Sequence, residues 1–245
     1  YQEVTGVQTC ALPILSVGQM PLAIQLDDFA VFESFFPARN QEIYQLLSEL
    51  DGSSDRFDGY WLWGETASGK SHLLQAVSDN MVNNCVYIPM KELIGHNPDI
   101  IQDMSSRNIV CIDDIDLCAG KKEWELAIFD LCNQLLDRKL SLVTSSSSKV
   151  ANSGFIINDL QSRLSILPSY KIQHLNDEES KNALRLRAKF RGIEISNEVL
   201  DYLLKRVSRD MSSLYEILDR LDNASLVAKR KLSIPFVKEV INQSD

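Results

Sequence analysis

Gly64-Glu65-Thr66-Ala67-Ser68-Gly69-Lys70-Ser71 is the stretch on which the fold turns. An apolar run, Gly59-Tyr60-Trp61-Leu62-Trp63, leads into it, and a helix-period stretch, His72-Leu73-Leu74-Gln75-Ala76-Val77, leads out. Strand, Gly-rich loop and helix in that order form the setting of a phosphate-binding loop. Gly64 and Gly69 let the backbone turn tightly, so that successive N–H groups converge on a phosphate. The new helix adds its unpaired N-terminal donors and its positive dipole end. Lys70 supplies a cation for the β- and γ-phosphates, and Ser71 a hydroxyl for magnesium. The bland alternative is a glycine turn beside a solvated lysine; the flanking strand and helix favour a nucleotide.

Downstream, Ile109-Val110-Cys111-Ile112 has the length and continuity of a strand buried on both faces, and it ends in Asp113-Asp114. Carboxylates at the end of a central strand, in a chain with a phosphate loop, read as a Walker B element. Asp113 would hold Mg2+, directly or through water, and Asp114 would orient an attacking water. An exposed acidic turn is the alternative. Further strands are expected at Val86-Tyr87-Ile88, ended by Pro89, at Leu140–Thr144 and at Tyr170–Gln173. Asn40 opens a helix-period segment through Leu50, and Trp124, Ile128, Leu131 and Leu135 mark a core-facing helix. Short strands alternating with helices predict an α/β domain with a five-stranded, mostly parallel sheet. After Asn176 the strand signal ends. Asp177-Glu178-Glu179 starts a helix, Val199, Leu203 and Leu204 mark a second, Leu214, Ile217, Leu218 and Leu221 a third, and Pro235 fits the first turn of a fourth. The chain is therefore expected to divide near 176 into an α/β domain, 29–176, and a small C-terminal helical lid, 177–245.

The 245 residues are 44% hydrophobic and carry a net charge of −9. The charge is uneven: residues 1–176 sum to −10 and residues 177–245 to +1. An acidic α/β domain argues against broad nucleic-acid binding through a basic face. No apolar run is long enough to span a bilayer. Five scattered cysteines, Cys10, Cys85, Cys111, Cys118 and Cys132, suggest buried thiols in a reducing cytoplasm. Val4 to Ile14 resembles the in-frame translation of a sequencing adapter, so residues 1–14 are set aside and 1–18 are treated as a leader. Gln19-Met20-Pro21-Leu22-Ala23-Ile24 reads as an extended segment, either lying on its own domain or docking into a partner's groove.

Taken together, these motifs resemble the AAA+ ATPases, and within them the DnaA-related regulators of the Hda family. The resemblance spans about 19–243 and is most specific at Ser71-His72-Leu73-Leu74, at Glu123 to Leu131 and at Lys231 to Val240. It implies an AAA+ P-loop fold, with bound ADP or ATP and Mg2+ held by Ser71 and Asp113. Arg163, in Leu160-Gln161-Ser162-Arg163-Leu164, falls where the family has its arginine finger; the alternative is a surface arginine paired with Asp159. Gln19, Met20, Leu22 and Ile24 match a sliding-clamp-binding peptide within 19–28. The family stimulates hydrolysis of the ATP bound to the initiator DnaA, with the DNA-loaded clamp, and so represses repeat initiation. Partners implied are DnaA, the clamp and, as a homo-oligomer, a second copy of the chain.

Two positions depart from the family pattern. Thr144-Ser145-Ser146-Ser147 stands at the sensor 1 region, and Ser212 replaces the sensor 2 arginine, with Arg209 nearby. The missing arginine puts stand-alone ATPase activity in doubt. The chain also ends at Asp245, before the DNA-binding domain of an initiator. A self-sufficient ATPase and a DnaA- or DnaC-like loader are the competing readings; the second needs a DNA-contacting surface.

Overall fold

The computed structural model describes residues 30–53, 57–102, 104–208 and 210–242. Its centre is a sheet of β1 (Asp58–Trp63), β2 (Cys85–Pro89), β3 (Ile109–Asp113), β4 (Ser141–Ser146) and β5 (Ser169–Lys171). All pairings are parallel, in the order β2-β3-β4-β1-β5. Parallel neighbours need crossovers, and helices supply them on both faces. On one face lie α1 (Gln41–Ser48) and α2 (Lys70–Asn80), packed on Tyr60, Leu62, Ile109, Cys111 and Val143. On the other, α4 (Lys122–Asp137) and α5 (Asn158–Leu164) cover Trp61, Val110, Ile112 and Leu142. The one-turn α3 (Met90–Leu93) follows β2 directly. The alternation of Tyr60 and Leu62 against Trp61 in β1 is the two-residue period of a strand covered on both faces.

Three strand limits differ from the sequence reading. Pro89 does not stop β2 but is its last residue, tolerated because β2 is an edge strand. β4 runs to Ser146, and its serines and threonine are wholly buried. Their hydroxyls have partners: Thr144 Oγ1 donates to the Tyr60 carbonyl at 3.5 Å, and Ser146 Oγ accepts from Ser148 N–H at 3.2 Å. β5 ends at Lys171 because Gln173 is held elsewhere. Asn40 accepts from Gln173 N–H at 2.8 Å and donates to its carbonyl at 3.0 Å. Asn40 therefore pins the connector to the lid and does not cap α1, which runs only to Ser48.

The lid comprises α6 (Asp177–Phe190), α7 (Asn197–Arg206), α8 (Met211–Ala228) and α9 (Ile234–Asn242). Its first helix begins with a reciprocal cap: Asn176 Oδ1 accepts from Glu179 N–H, and Glu179 accepts from Asn176 N–H. That cap explains why the strand pattern gives way here. Ser196 and Asp210 start α7 and α8 with a one-way cap, each side chain accepting from the N–H three residues on, Val199 and Ser213. Leu184, Leu200, Leu203, Leu214, Leu218, Leu221, Phe236 and Val237 form the lid's own core. Arg39 bridges the two parts, donating to the His174 carbonyl at 2.7 Å and to Glu179 at 3.1 Å. Among the described residues, no helix is long and apolar enough to cross a membrane.

Candidate functional site

The loop after β1 is shaped for close backbone approach. A Cβ on Gly64 would stand 2.6 Å from the Ile172 carbonyl oxygen, and one on Gly69 would stand 2.9 Å from the Phe35 ring. Gly69 also holds φ +99°, and Ala67 between them holds φ +59°. Such a cradle fits the phosphates of a nucleotide. Lys70 opens α2 and is 7% exposed. Its ammonium donates to the carbonyls of Gly64 at 2.9 Å and Glu65 at 2.8 Å. Burial lowers its pKa, while Asp114, Asp113 and Asp116 act in the opposite sense. An anion in the loop would meet a lysine already desolvated and already in place.

Asp113 lies across the cleft, 5% exposed. One carboxylate oxygen accepts from Tyr87 Oη at 2.7 Å, the other from Ser145 Oγ. Tyr87 Oη in turn accepts from Gln75 Nε2 at 3.2 Å. These hydroxyls leave each oxygen a further lone pair. Ser71 and Asp113 therefore bring hard oxygens to one cleft, a donor set that would fit Mg2+ completed by waters and phosphate oxygens. Among the described residues, no group of three or more His, Cys, Asp or Glu side chains is placed to hold a metal by itself.

Asp114 holds φ +53° at the cleft wall, and its N–H donates to Ser145 Oγ at 2.8 Å. Burial, then the charges of Asp113 and Asp116, raise its pKa. Asp116 accepts from Ser147 N–H at 3.1 Å and from the Ser147 hydroxyl. The serine run that departs from the sensor 1 pattern thus ties the ends of β3 and β4 together.

The cleft encloses about 660 Å³, the size of a small-ligand site. Phe35, Phe36, Pro89 and Met90 give it apolar wall, and the lid closes it with Ser212, Tyr215, Glu216, Asp219 and Arg187. Ser212 therefore does face the cleft. Arg187 is the residue that sequence reasoning missed. It is 1% exposed, with its guanidinium 4.5 Å from the Tyr215 ring centre and 3.9 Å from Asp219. The signal available was a lone arginine on the apolar face made by Ala183, Leu184 and Ala188. Arg209 lies outside the described residues.

Arg163 is not part of this cleft. It is exposed in the last turn of α5, against Phe57, Cys132, Leu136 and Leu142 on the far side of the sheet. No ion pair joins it to Asp159 among the described residues, so the surface-pair alternative is not the one adopted. Gln19, Met20, Leu22 and Ile24 lie outside the described residues.

A family model described as the bacterial DnaA ATPase domain matches residues 26–167, and one described as the lid domain of Hda matches residues 177–241. Domain III of the replication initiation protein DnaA from Thermotoga maritima superposes with a TM-score of 0.73 at 18% identity, covering 89% of this chain and 98% of that one. AMPPCP-bound DnaA from Aquifex aeolicus gives 0.63 at 18%, covering 79% and 65%. The Thermotoga maritima RuvB Holliday junction branch migration motor gives 0.56 at 15%, covering 76% and 61%. At these identities the likeness to solved structures is one of fold. The two family matches leave 168–176 between them, the stretch of β5 and of the connector that Asn40 pins and Asn176 caps.

Proposed function

The chain belongs to the family of bacterial DnaA-type AAA+ ATPase domains and carries an Hda-type lid; from that membership we propose that it is a nucleotide-binding regulator of DnaA. With the DNA-loaded sliding clamp it stimulates hydrolysis of DnaA-bound ATP and so represses re-initiation of replication. The carrying observation is the placement of Arg163: exposed, on α5, and outside the chain's own cleft. A guanidinium is permanently charged and offers a planar fork of donors for phosphate oxygens. Placed there, it serves a neighbour's nucleotide and not its own.

The chain's own cleft then holds ADP or ATP. Residues 64–71 cradle the phosphates, Lys70 exchanges loop carbonyls for phosphate oxygens, and Ser71 and Asp113 hold Mg2+. The ion would neutralise phosphate charge when bound. Asp114, held at the cleft wall, orients water. In this reading 29–176 is the nucleotide-binding domain, 177–245 the lid and 19–28 the clamp peptide, with Gln19, Met20, Leu22 and Ile24 as its contacts.

The test is ATP hydrolysis by the purified protein alone, with ATP-loaded DnaA, and with DnaA plus DNA-loaded clamp. Strong turnover only in the complete mixture supports the regulator. Equal turnover by the protein alone would make it a self-sufficient ATPase instead.

A further inference from the structure

Glu125 carries a charge that the nucleotide cleft does not use. It lies in the first turn of α4 and is wholly buried. No cation pairs with it among the described residues. A buried carboxylate without a counter-charge is costly unless donors fill its oxygens. Here the backbone fills them. Gly120 N–H donates to Oε1 at 2.7 Å, Ile157 N–H to Oε2 at 2.8 Å, and Ile156 N–H to both, at 3.1 and 2.9 Å.

Those donors belong to two segments with different duties. Gly120 ends the loop that leaves β3 after Asp113, Asp114 and Asp116. Ile156 and Ile157 lead straight into α5, whose last turn carries Arg163. Other contacts hold the start of that second segment: Phe155 packs edge-on to Trp61, whose indole N–H donates to the Ser148 carbonyl at 3.0 Å. The lead-in to α5 itself is tied by the carboxylate.

We infer that Glu125 is the positioning residue for Arg163, a buried carboxylate that locks the lead-in of α5 to the loop leaving the acidic edge of the cleft. The inference rests on the reading of Arg163 as the cation that acts on a neighbour's nucleotide. It explains why a charge is used where an apolar side chain would pack. A carboxylate is acceptor only, with room for every donor that meets it, whereas a glutamine amide turns one edge into a donor facing N–H groups.

The test uses the full chain in stimulated hydrolysis with ATP-loaded DnaA and DNA-loaded clamp, below the melting temperature of every variant. Glu125→Gln keeps the volume and removes the charge. It is expected to lower kcat on the order of 10- to 100-fold, the scale of a small misplacement of a catalytic group. The KM for ATP-loaded DnaA and the affinity for nucleotide should stay unchanged. Ile157→Pro removes one donor and leaves the carboxylate, at a φ of −92° that asks the ring for a modest backbone adjustment; in the folded variant it should repeat the kcat loss. Amide exchange followed by NMR should quicken at Ile156 in both variants and not in β3 or β4.

A purely structural Glu125 would instead lower kcat only with the folded fraction, or move KM and nucleotide affinity together. That result, or near-wild-type kcat in a folded Glu125→Gln, overturns the inference. If Glu125→Gln fails to fold, Ile157→Pro decides by the same criteria. Arg163→Ala in parallel separates the two levels. If it keeps its rate, the reading of Arg163 falls and the inference with it. If it loses its rate while Glu125→Gln does not, only the inference falls.

Discussion

Lys70 and Arg163 are the two cations that the sequence singles out, and the fold treats them in opposite ways. Lys70 is buried, desolvated and fastened to the carbonyls of Gly64 and Glu65 before any ligand is considered. Arg163 stands exposed on a short helix on the other side of the sheet. The difference teaches where each site is complete. The cleft brings phosphate cradle, lysine, acidic pair and lid together within one chain. Among the described residues no acidic pair or phosphate loop stands beside the arginine, so the role proposed for it calls on a second molecule. A preorganised cation in the cleft favours tight, long-lived binding, whereas an exposed one is free to meet a charge that develops only during reaction.

The largest expected effect comes from breaking the exposed half. Arg163→Ala should lower the rate of stimulated hydrolysis roughly 10³- to 10⁵-fold, the range for a cation supplied to a transferring phosphoryl group. Folding and nucleotide affinity should be untouched, since Arg163 packs only at the margin of the core. Arg163→Lys should rescue little, because an ammonium lacks the fork. Single-turnover assays with pre-loaded DnaA read the rate directly, and near-full stimulation by Arg163→Ala would remove this residue from the mechanism.

Breaking the buried half should cost less and in a different quantity. Lys70→Ala removes a charge-assisted contact to phosphate, so affinity for a nucleoside di- or triphosphate should fall roughly 10- to 100-fold. Calorimetry on the isolated protein reads this without DnaA or clamp. Because a ligand that binds only the folded state stabilises it, the rise in melting temperature given by saturating nucleotide should shrink in parallel. Unchanged affinity would end the assignment of the loop, while leaving the arginine's role standing for separate trial.

How much of this was legible in the sequence follows the same division. The cleft's core was readable because each part is local. Glycine spacing, an apolar strand and a helical period set β1, the loop and α2, and a buried run ending in two aspartates set β3. Near 176 the sequence offered only the end of the strand signal and the cluster Asp177-Glu178-Glu179; the structure starts α6 at Asp177, behind the reciprocal cap of Asn176 and Glu179. What escaped depends on contacts far apart in the chain. Asn40 looks like a helix start, yet it serves Gln173 across the fold. Ser145 looks like a lost sensor, yet it links Asp113 to Asp114. β4 hides its full length because its end is serine, buried through hydroxyl bonds that carry no hydropathy signal. Arg187 and Glu125 break the polar-outside rule, and their partners explain them: Tyr215 and Asp219 for the arginine, the amides of Gly120, Ile156 and Ile157 for the glutamate.

The smallest effect sharpens the claim that the cleft is an anion site with an acidic rim held at some cost to stability. Asp114 is half-buried beside Asp113 and Asp116, and its pKa is raised, first by burial and then by those charges. A carboxyl whose folded pKa exceeds its unfolded one binds its proton more tightly when folded. Its ionised form therefore weakens the fold at all pH above the folded pKa. The penalty fades as pH falls through that value, and it is gone below the ordinary carboxylate value of 3.8. Asp114→Asn should accordingly raise the melting temperature of the nucleotide-free protein by a few degrees at pH 7, on the scale of about 2–4 °C per kcal/mol for a chain of this size. The advantage should shrink steadily on acidification and vanish near pH 4. Thermal melts of both proteins across pH 4–8 check it. A constant advantage across that range would assign the gain to the left-handed backbone at φ +53°, which asparagine also tolerates well, and not to the charge. The same substitution should leave the phosphate cradle in place, because Gly64, Gly69 and the bonds from Lys70 to the Gly64 and Glu65 carbonyls are made without Asp114.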